Sequence, residues 1–533
     1  MSCFHWQGAR PQLGRDYMIA AEHPLAVQGG LSILEAGGNA MDAAVAVATI
    51  SWVVMPDMCG PGGDVFIIGY EDGKLWALNG CGEAPGKAEA AFFTSRGFRR
   101  MPLDGVLSAS VPGAVAGLAA AHARYGSLPL GRLLEKAISY AERGFPVSYR
   151  LYNSIINQRA KLEKFPEAAA LFLPGGRPLR PGEVFRQPDL AATLKTLARD
   201  GFEPFYRGRI AKKLLELSQR EGGLFTGEEL AAHEGEFYAP ISTSYRGYKV
   251  YQNRPPSQGL IMLEALNILE NFSLSSLGFD DPDRLHLIAE SLKIAFNDRN
   301  RLVGDPPFVD VPLSRLLSAE YAQSRAEEID PNQARFYAGP SAEGDTTSFV
   351  IVDGDGRGIS FIHSNSIPFG SGIIIPGTGI LLNNRAGRSF TLEEGHPNCI
   401  APGKRPMHTL NTYIATKEDK LWLLGNTPGG DGQVQWNLQV LSCLIDHSFN
   451  PQQAAGAPRC QVLPGTDPAD LEKPPLLFLE EGFSQETGDS LIGRGHQVRW
   501  TAQGGGAVQL IQVEDGLLLG GSDPRSEGLA LGS

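Results

Sequence analysis

Cysteine is scarce in this chain, six in 533 residues (Cys3, Cys59, Cys81, Cys399, Cys443 and Cys460), with no CxxC and no metal-ligand spacing. That excludes a disulfide framework and leaves reduced thiols in a cytosolic protein as the expectation. HExxH and any other histidine cluster are missing, so no metal is expected. There is no Walker A motif and no GxSxG, and Cys59-Gly-Pro-Gly-Gly-Asp64 has the wrong glycine spacing for a dinucleotide fingerprint. Nucleotide, serine-hydrolase and cofactor-dependent readings therefore find no motif. No Lys/Arg block stands out, and a net charge of −12 with pI ≈ 5.4 argues against nucleic acid or an anionic membrane as partner. No apolar run approaches the ~20 residues of a membrane span. The opening residues Met1 to Arg10 lack the basic start and apolar run of a signal peptide, so a cytoplasmic location is expected.

What is present is an ordinary globular composition, 42% hydrophobic and 20% charged. Val27, Leu31 and Leu34 predict a helix over 24–36 that Gly37-Gly38 stops, and Asn39 is placed to cap a second helix over 40–54. That second run is almost wholly apolar, so it should be buried on most sides. Val65–Tyr70 and Trp76–Asn79 read as a hairpin. Further helices are expected over 114–124, 130–143, 189–199, 208–220, 256–271 and 283–303, with a strand over 246–251. Short strands are expected at 373–375 and 380–382, and Asn383–Met407 has the profile of a functional loop region. Leu421–Gly425 reads as a strand, after which Pro428-Gly-Gly-Asp-Gly432 opens a helix with Val434, Leu438, Leu441 and Ile445 on one face. Backbone N–H groups at such a glycine turn are donors suited to a negative oxygen. Strands with helices outside them suggest stacked sheets covered on both faces.

One stretch organises the rest. Ser348–Val352 is strand-like, Asp353-Gly-Asp-Gly-Arg-Gly358 is a turn cluster, and Ile359–His363 is the returning strand. Thr346 thus lies at the lip of a hairpin, preceded by the loop-like run Tyr337–Asp345. Alone, Thr346-Thr347 would read as residues capping a strand. The context also suits a threonine that is first scissile and then a new amino terminus, with an exposed hydroxyl.

The chain resembles the γ-glutamyltransferase family of amino-terminal-nucleophile hydrolases over nearly its whole length. The resemblance rests on Leu34-Glu-Ala-Gly-Gly-Asn-Ala-Met-Asp-Ala-Ala-Val45, Ser110-Val-Pro-Gly113, Gly222-Gly-Leu-Phe-Thr-Gly227 and Tyr245-Arg-Gly-Tyr248. It continues through Pro255-Pro-Ser-Gln-Gly259, Gly379-Ile-Leu-Leu-Asn-Asn384 and Pro428-Gly-Gly430. The resemblance implies an α+β fold, a four-layer αββα sandwich, made as one precursor cut between Asp345 and Thr346. It implies a large segment 1–345 and a small catalytic segment 346–533 that stay intertwined as a heterodimer, and leaves further dimerisation open. Thr346 would be the nucleophile and its freed amine the base, an arrangement with chemical precedent. Gly429 and Gly430 would supply the oxyanion donors, and Ser364 would support the nucleophile's hydroxyl.

The γ-glutamyl pocket of that family is altered here. Cys81 takes the place of the arginine that holds the substrate's α-carboxylate. Arg385 and Arg388 follow the Asn-Asn pair where an acidic residue is expected, Met407-His408 replaces paired serines, and Ser366 replaces an asparagine. Arginines repel an ammonium but grip a carboxylate. Together with His396 and Pro402–Thr409, these residues resemble the branch that includes oxamate amidohydrolase and the glutaryl-cephalosporin acylase-like proteins. The expected substrate is thus a small amide bearing a carboxylate, oxamate above all, held by Arg385, Arg388, Ser366 and His408. The alternatives are a γ-glutamyltransferase or glutathione hydrolase with a changed glutamate pocket, and an uncut, non-catalytic binding protein. Cys81 is expected only to pack, His396 and His408 to be structural hydrogen-bonders first, and Glu290 and Asp298 to support the fold.

Overall fold

The computed structural model describes residues 6–335, 345–463 and 476–533. Most of the expected loop 337–345, and Cys3, lie outside them. Two seven-stranded sheets face each other. The first runs Leu529–Gly532, Met18–Ala21, Asp345–Val352, Gly358–Ser366, Asp64–Glu71, Lys74–Gly80, Glu236–Tyr238. The second runs Gln12–Gly14, Leu517–Ser522, Gln509–Glu514, Lys420–Asn426, Tyr413–Lys417, Tyr248–Gln252, Ile241–Tyr245. Period-two alternation sends the faces of each strand to different cores. Val350 and Val352 pack between the sheets with Met18, Ile414, Leu424 and Ile511. Phe349 and Ile351 point the other way, onto the helices Pro24–Glu35 and Ala40–Val54. The second sheet is covered by Gly259–Leu269, Pro282–Leu302 and Gly432–Asp446. The result is the expected four-layer αββα sandwich.

The helix Ala40–Val54 is buried at every position, and Asn39 caps it through a reciprocal bond with Asp42. Both features follow from the sequence. Four expectations of local structure need correction. The helix expected over 130–143 is two, Leu130–Leu133 and Glu135–Arg143. The strand expected over 246–251 is the second half of a hairpin: Arg246 and Gly247 take φ of 50° and 84° in the turn between Ile241–Tyr245 and Tyr248–Gln252. The helix expected from Pro256 starts at Gly259, because Ser257 instead bridges His408 and donates to the Leu410 carbonyl. Arg385 and Arg388, expected in a loop, sit on the short helix Arg385–Ser389.

No helix among the described residues is long and apolar enough to cross a membrane. Glu290 and Asp298 support the fold as expected, paired with Lys293 and Arg325 respectively.

Four buried imidazoles are held well below the ordinary histidine value of 6.5. Burial leads in each case: His23 is lowered to about 4, His363 to about 3, His408 to about 4 and His496 to about 2. Unfolded, each ring takes up a proton near its ordinary value, so their neutrality favours the native state in full above that point and progressively less as pH falls toward the native values. Each contributes up to about 1.4 kcal/mol per pH unit in that window. Urea unfolding should therefore show stability falling by several kcal/mol between about pH 7 and about pH 5; a flat or rising profile would contradict the assignment.

Candidate active site

Thr346 lies in the strand Asp345–Val352, hydrogen-bonded between Met18–Ala21 and Gly358–Ser366. The ladder is irregular there: Asp345 pairs with Ser366 but Thr347 with His363, so the register shifts at Thr346. Irregular ladders re-aim a side chain and are frequent beside active sites. The expected exposed hydroxyl is not exposed. Thr346 is 1% accessible, because both sheets and the helix Gly432–Asp446 close over this end of the strand. Its Oγ1 donates to Ser364 Oγ at 3.2 Å and accepts from Gln433 Nε2 at 3.4 Å. Ser364 Oγ also accepts the Ser366 N–H at 2.8 Å. That bond holds Ser366 at φ 88°, a region that costs a non-glycine residue about 1–3 kcal/mol and recurs at functional sites. The Ser366 hydroxyl oxygen is buried without a hydrogen-bond partner among the described residues.

The glycine turn is fixed from two directions. Asn426 donates to the carbonyls of Phe349 and Phe361, joining the second sheet to the strands that carry Thr346 and Ser364. From there Gly429 (φ 120°) and Gly430 (φ 56°) turn the chain into the helix. A Cβ on Gly429 would come within 2.2 Å of the Trp436 ring, so only glycine fits. The Gly430 carbonyl accepts from Gln258 Nε2 at 2.9 Å. Gln258 Oε1 and the Asp431 carboxylate in turn take the same nitrogen of buried Arg299, at 2.5 and 2.7 Å. The Gly429-Gly430 turn thus rests on an amide and an ion pair that the sequence reading did not pick out.

One strand away, Asp64 stands opposite Ser364 in the sheet and gathers the expected binding residues. Its Oδ2 accepts from Arg385 Nε at 3.3 Å and His408 Nε2 at 3.1 Å, and its Oδ1 from the Gly82 N–H at 3.0 Å. Burial would raise this carboxyl, but the hydrogen bonds from His408 and the charge of Arg385 outweigh it and hold it below its ordinary value. His408 Nδ1 accepts the Leu410 N–H at 3.1 Å, so the proton is on Nε2 and both ring nitrogens are committed. His408 therefore orients Asp64 and has no nitrogen left for a ligand.

Arg385 is fully buried. Burial, and after it the charge of Arg388, lower it to about 10 against the pull of Asp64, so it stays cationic at neutral pH. Its Nη1, like that of Arg388, donates to Thr409 Oγ1 at 3.2 Å. Its Nη2 is buried with no hydrogen-bond partner among the described residues. Asn383 fixes the start of this helix, accepting from the Arg385 and Ser110 N–H groups and donating to the Gly62 carbonyl. Arg405 approaches Cys81, bonding its carbonyl, but Glu83 and Glu236 take up its charge.

Folding does assemble two groups that sequence spacing hides: Asp64, Cys81 and His408, and His286, Glu290 and His496, each with potential ligand atoms within 4.8 Å. Their members come from distant segments. In the first, the bonds just described occupy Asp64 and His408, and burial raises the Cys81 thiol. In the second, His286 bonds His496 at 2.8 Å and the Asp330 carbonyl at 2.9 Å, while Lys293 and the Arg335 N–H hold Glu290. Hydrogen bonding within the protein accounts for both.

Gln433, missed from sequence, left one signal. The helix Gly432–Asp446 is buried over most of its length, yet carries amides at Gln433, Gln435, Asn437 and Gln439. Buried amides must have partners. Gln435 and Gln439 clip to the Val462 and Cys460 backbone, while Asn437 and Gln433 turn toward Asn411.

Comparison with known proteins agrees with this architecture. The family model described as gamma-glutamyltranspeptidase matches residues 26–533. The chain is 38% identical to the glutathione hydrolase-like YwrD proenzyme of Bacillus subtilis (strain 168), over 98% of this chain and 99% of that one. It is 35% identical to the oxamate amidohydrolase proenzyme of Klebsiella pneumoniae, over 97% and 98%. The crystal structure of cephalosporin acylase from Bacillus halodurans superposes with a TM-score of 0.91 at 37% identity, covering 98% of this chain and 97% of the other. A matched family model, near-complete coverage and a shared four-layer fold leave one conclusion: the chain belongs to the γ-glutamyltranspeptidase family and is an amide-cleaving enzyme of it.

Proposed function

We propose that the chain is a precursor that cuts itself between Asp345 and Thr346, and that the freed Thr346 then hydrolyses the amide of a small carboxylate-bearing substrate, with oxamate the best fit. The carrying observation is the Thr346 hydroxyl, buried against Ser364 Oγ at 3.2 Å, with the helix of the Gly429-Gly430 turn reaching it through Gln433. In the precursor, Thr346 Oγ attacks the Asp345 carbonyl, the C–N bond breaks, and the hydroxyl proton passes to the departing amide nitrogen, which becomes the new amine. Water opens the resulting ester and frees Thr346. In the mature enzyme, Oγ attacks the substrate amide and passes its proton to that amine, whose ordinary pKa of about 8 suits base work near neutrality. The proton leaves with the departing amine or ammonia, and water releases the acid. Gly429 and Gly430 stabilise the anionic oxygen at each stage; one such donor is typically worth about 3 kcal/mol.

The division into 1–345 and 346–533 is compatible with a stable unit. Met18–Ala21 from one segment pairs with Phe349–Val352 and Leu529–Gly532 from the other, so the cut pieces share a sheet. Arg385 Nη2 and Ser366 Oγ support an anionic substrate, since a buried donor left unsatisfied costs about 1–3 kcal/mol until a ligand fills it. Arg388 reinforces the positive field, and His408 acts through Asp64.

Thr346→Ala protein should remain a single band on denaturing electrophoresis and hydrolyse nothing, whereas the parent should give fragments of 1–345 and 346–533. An uncut, inactive parent would favour a binding protein, and a cut, active Thr346→Ala would remove the nucleophile. In a screen of oxamate, succinamate, glutaryl amides and γ-glutamyl amides, carboxylate-bearing amides without an α-ammonium should turn over fastest. Efficient γ-glutamyl cleavage with oxamate untouched would reverse the assignment. Arg385→Lys keeps a cation for Asp64 but loses the guanidinium fork. It should raise KM for the preferred substrate by about 10-fold or more, the scale of one hydrogen bond to a charged group, and leave amides without a carboxylate unaffected; equal loss on both would place Arg385 in the fold alone.

A further inference from the structure

We infer that Gln433 is a further catalytic residue, its side-chain amide donating to the Thr346 oxygen whenever that oxygen carries negative charge. The inference rests on Thr346 being the nucleophile and goes beyond it by assigning the acceptor side of that hydroxyl.

The orientation of the amide is fixed by the network. Asn411 Nδ2 donates to the Thr409 carbonyl at 3.1 Å, and a carbonyl can only accept. The Asn411 atom that reaches Gln433 is that same nitrogen, so the Gln433 atom it meets, at 3.1 Å, must be Oε1. Gln252 and Asn437 donate to Asn411 Oδ1 at 3.3 Å each, consistent with the same assignment. Gln433 Nε2 is thereby turned toward Thr346 Oγ1, 3.4 Å away. Gln433, Asn411 and Asn437 are all fully buried, so no water competes in aligning them.

The division of labour at Thr346 follows. Its proton points to Ser364 Oγ and its lone pair to Gln433. A hydroxyl flanked in this way loses its proton on one side while a donor steadies the charge left on the other. Gln433 gives up no proton. It shortens its hydrogen bond as Oγ becomes alkoxide-like during attack, and again when the C–O bond of the acyl-threonine breaks and Oγ leaves with the electron pair, to be reprotonated by the α-amine. A 3.4 Å separation is long for a resting hydrogen bond, and catalytic bonds of this kind tighten in the reacting state. The same donor serves self-cleavage, where Oγ attacks the Asp345 carbonyl.

Self-cleavage requires no added substrate and is the direct readout. In pulse-labelled cell-free synthesis of the full chain, Gln433→Leu should slow the appearance of the 346–533 fragment by about 10²-fold, the scale of one lost transition-state donor. Gln433→Glu supplies a donor only while its carboxyl is protonated. Its cleavage rate relative to the parent should therefore fall from about pH 5 to about pH 8, which a purely structural role would not produce. A Gln433→Leu chain cleaving at the parental rate, or a flat ratio for Gln433→Glu, overturns the inference. If urea unfolding shows that the leucine variant does not fold, the glutamate ratio decides. Thr346→Ala run alongside separates the two claims: if it too is cleaved, the fault lies with the nucleophile assignment and not with Gln433.

Discussion

The Thr346 hydroxyl, taken out of water, is hydrogen-bonded both as donor and as acceptor, and the surrounding structure is arranged around those two bonds. The donor side is met by Ser364 on the neighbouring strand, the acceptor side by Gln433 on a helix of the opposite layer. Both sheets must therefore be in register with each other before the site exists. Asn426, reaching from the second sheet to the Phe349 and Phe361 carbonyls of the first, enforces that registration. The Asp345–Thr346 bond, the Gly429-Gly430 turn and the Thr346 hydroxyl are consequently set by the same packing that forms the central core.

The charged groups follow a parallel logic. A buried ion pair contributes little net stability but a well-defined geometry. Arg299 with Asp431 and Gln258 holds the glycine turn in one conformation. Asp64 with His408 and Arg385 does the same for the guanidinium. In the second case one nitrogen is left over, Arg385 Nη2, buried and without a hydrogen-bond partner among the described residues. Ser366 Oγ is likewise buried without a hydrogen-bond partner among the described residues.

Much of the framework was legible because local signals and burial agreed. Asn39 after Gly37-Gly38 marks a helix start that the capping bonds reproduce, and Val350 and Val352 alternate with Phe349 and Ile351 between two cores. The glycine turn at 428–432 announces the helix behind it. The failures have equally local causes. Tyr245 to Tyr251 is otherwise aromatic, basic and β-branched, so only Arg246-Gly247, left-handed in the structure, betrays a turn. Pro256 could open a helix in isolation, but Ser257 is claimed by the backbone near His408. Thr346 reads as exposed because its neighbours in sequence are polar, while the residues that bury it come from positions 364 and 433. Asp64, Gln258, Arg299 and Gln433 stayed hidden because each is meaningful only through partners far away in sequence.

The most direct test of the central claim is to locate the acyl group. Acid-quenched mass spectrometry of the mature enzyme during turnover of its preferred amide should find the 346–533 fragment heavier by the acyl mass, with the adduct mapped to the first residue, Thr346. An adduct on another side chain, or turnover by a chain still intact at the Asp345–Thr346 bond, would contradict the account.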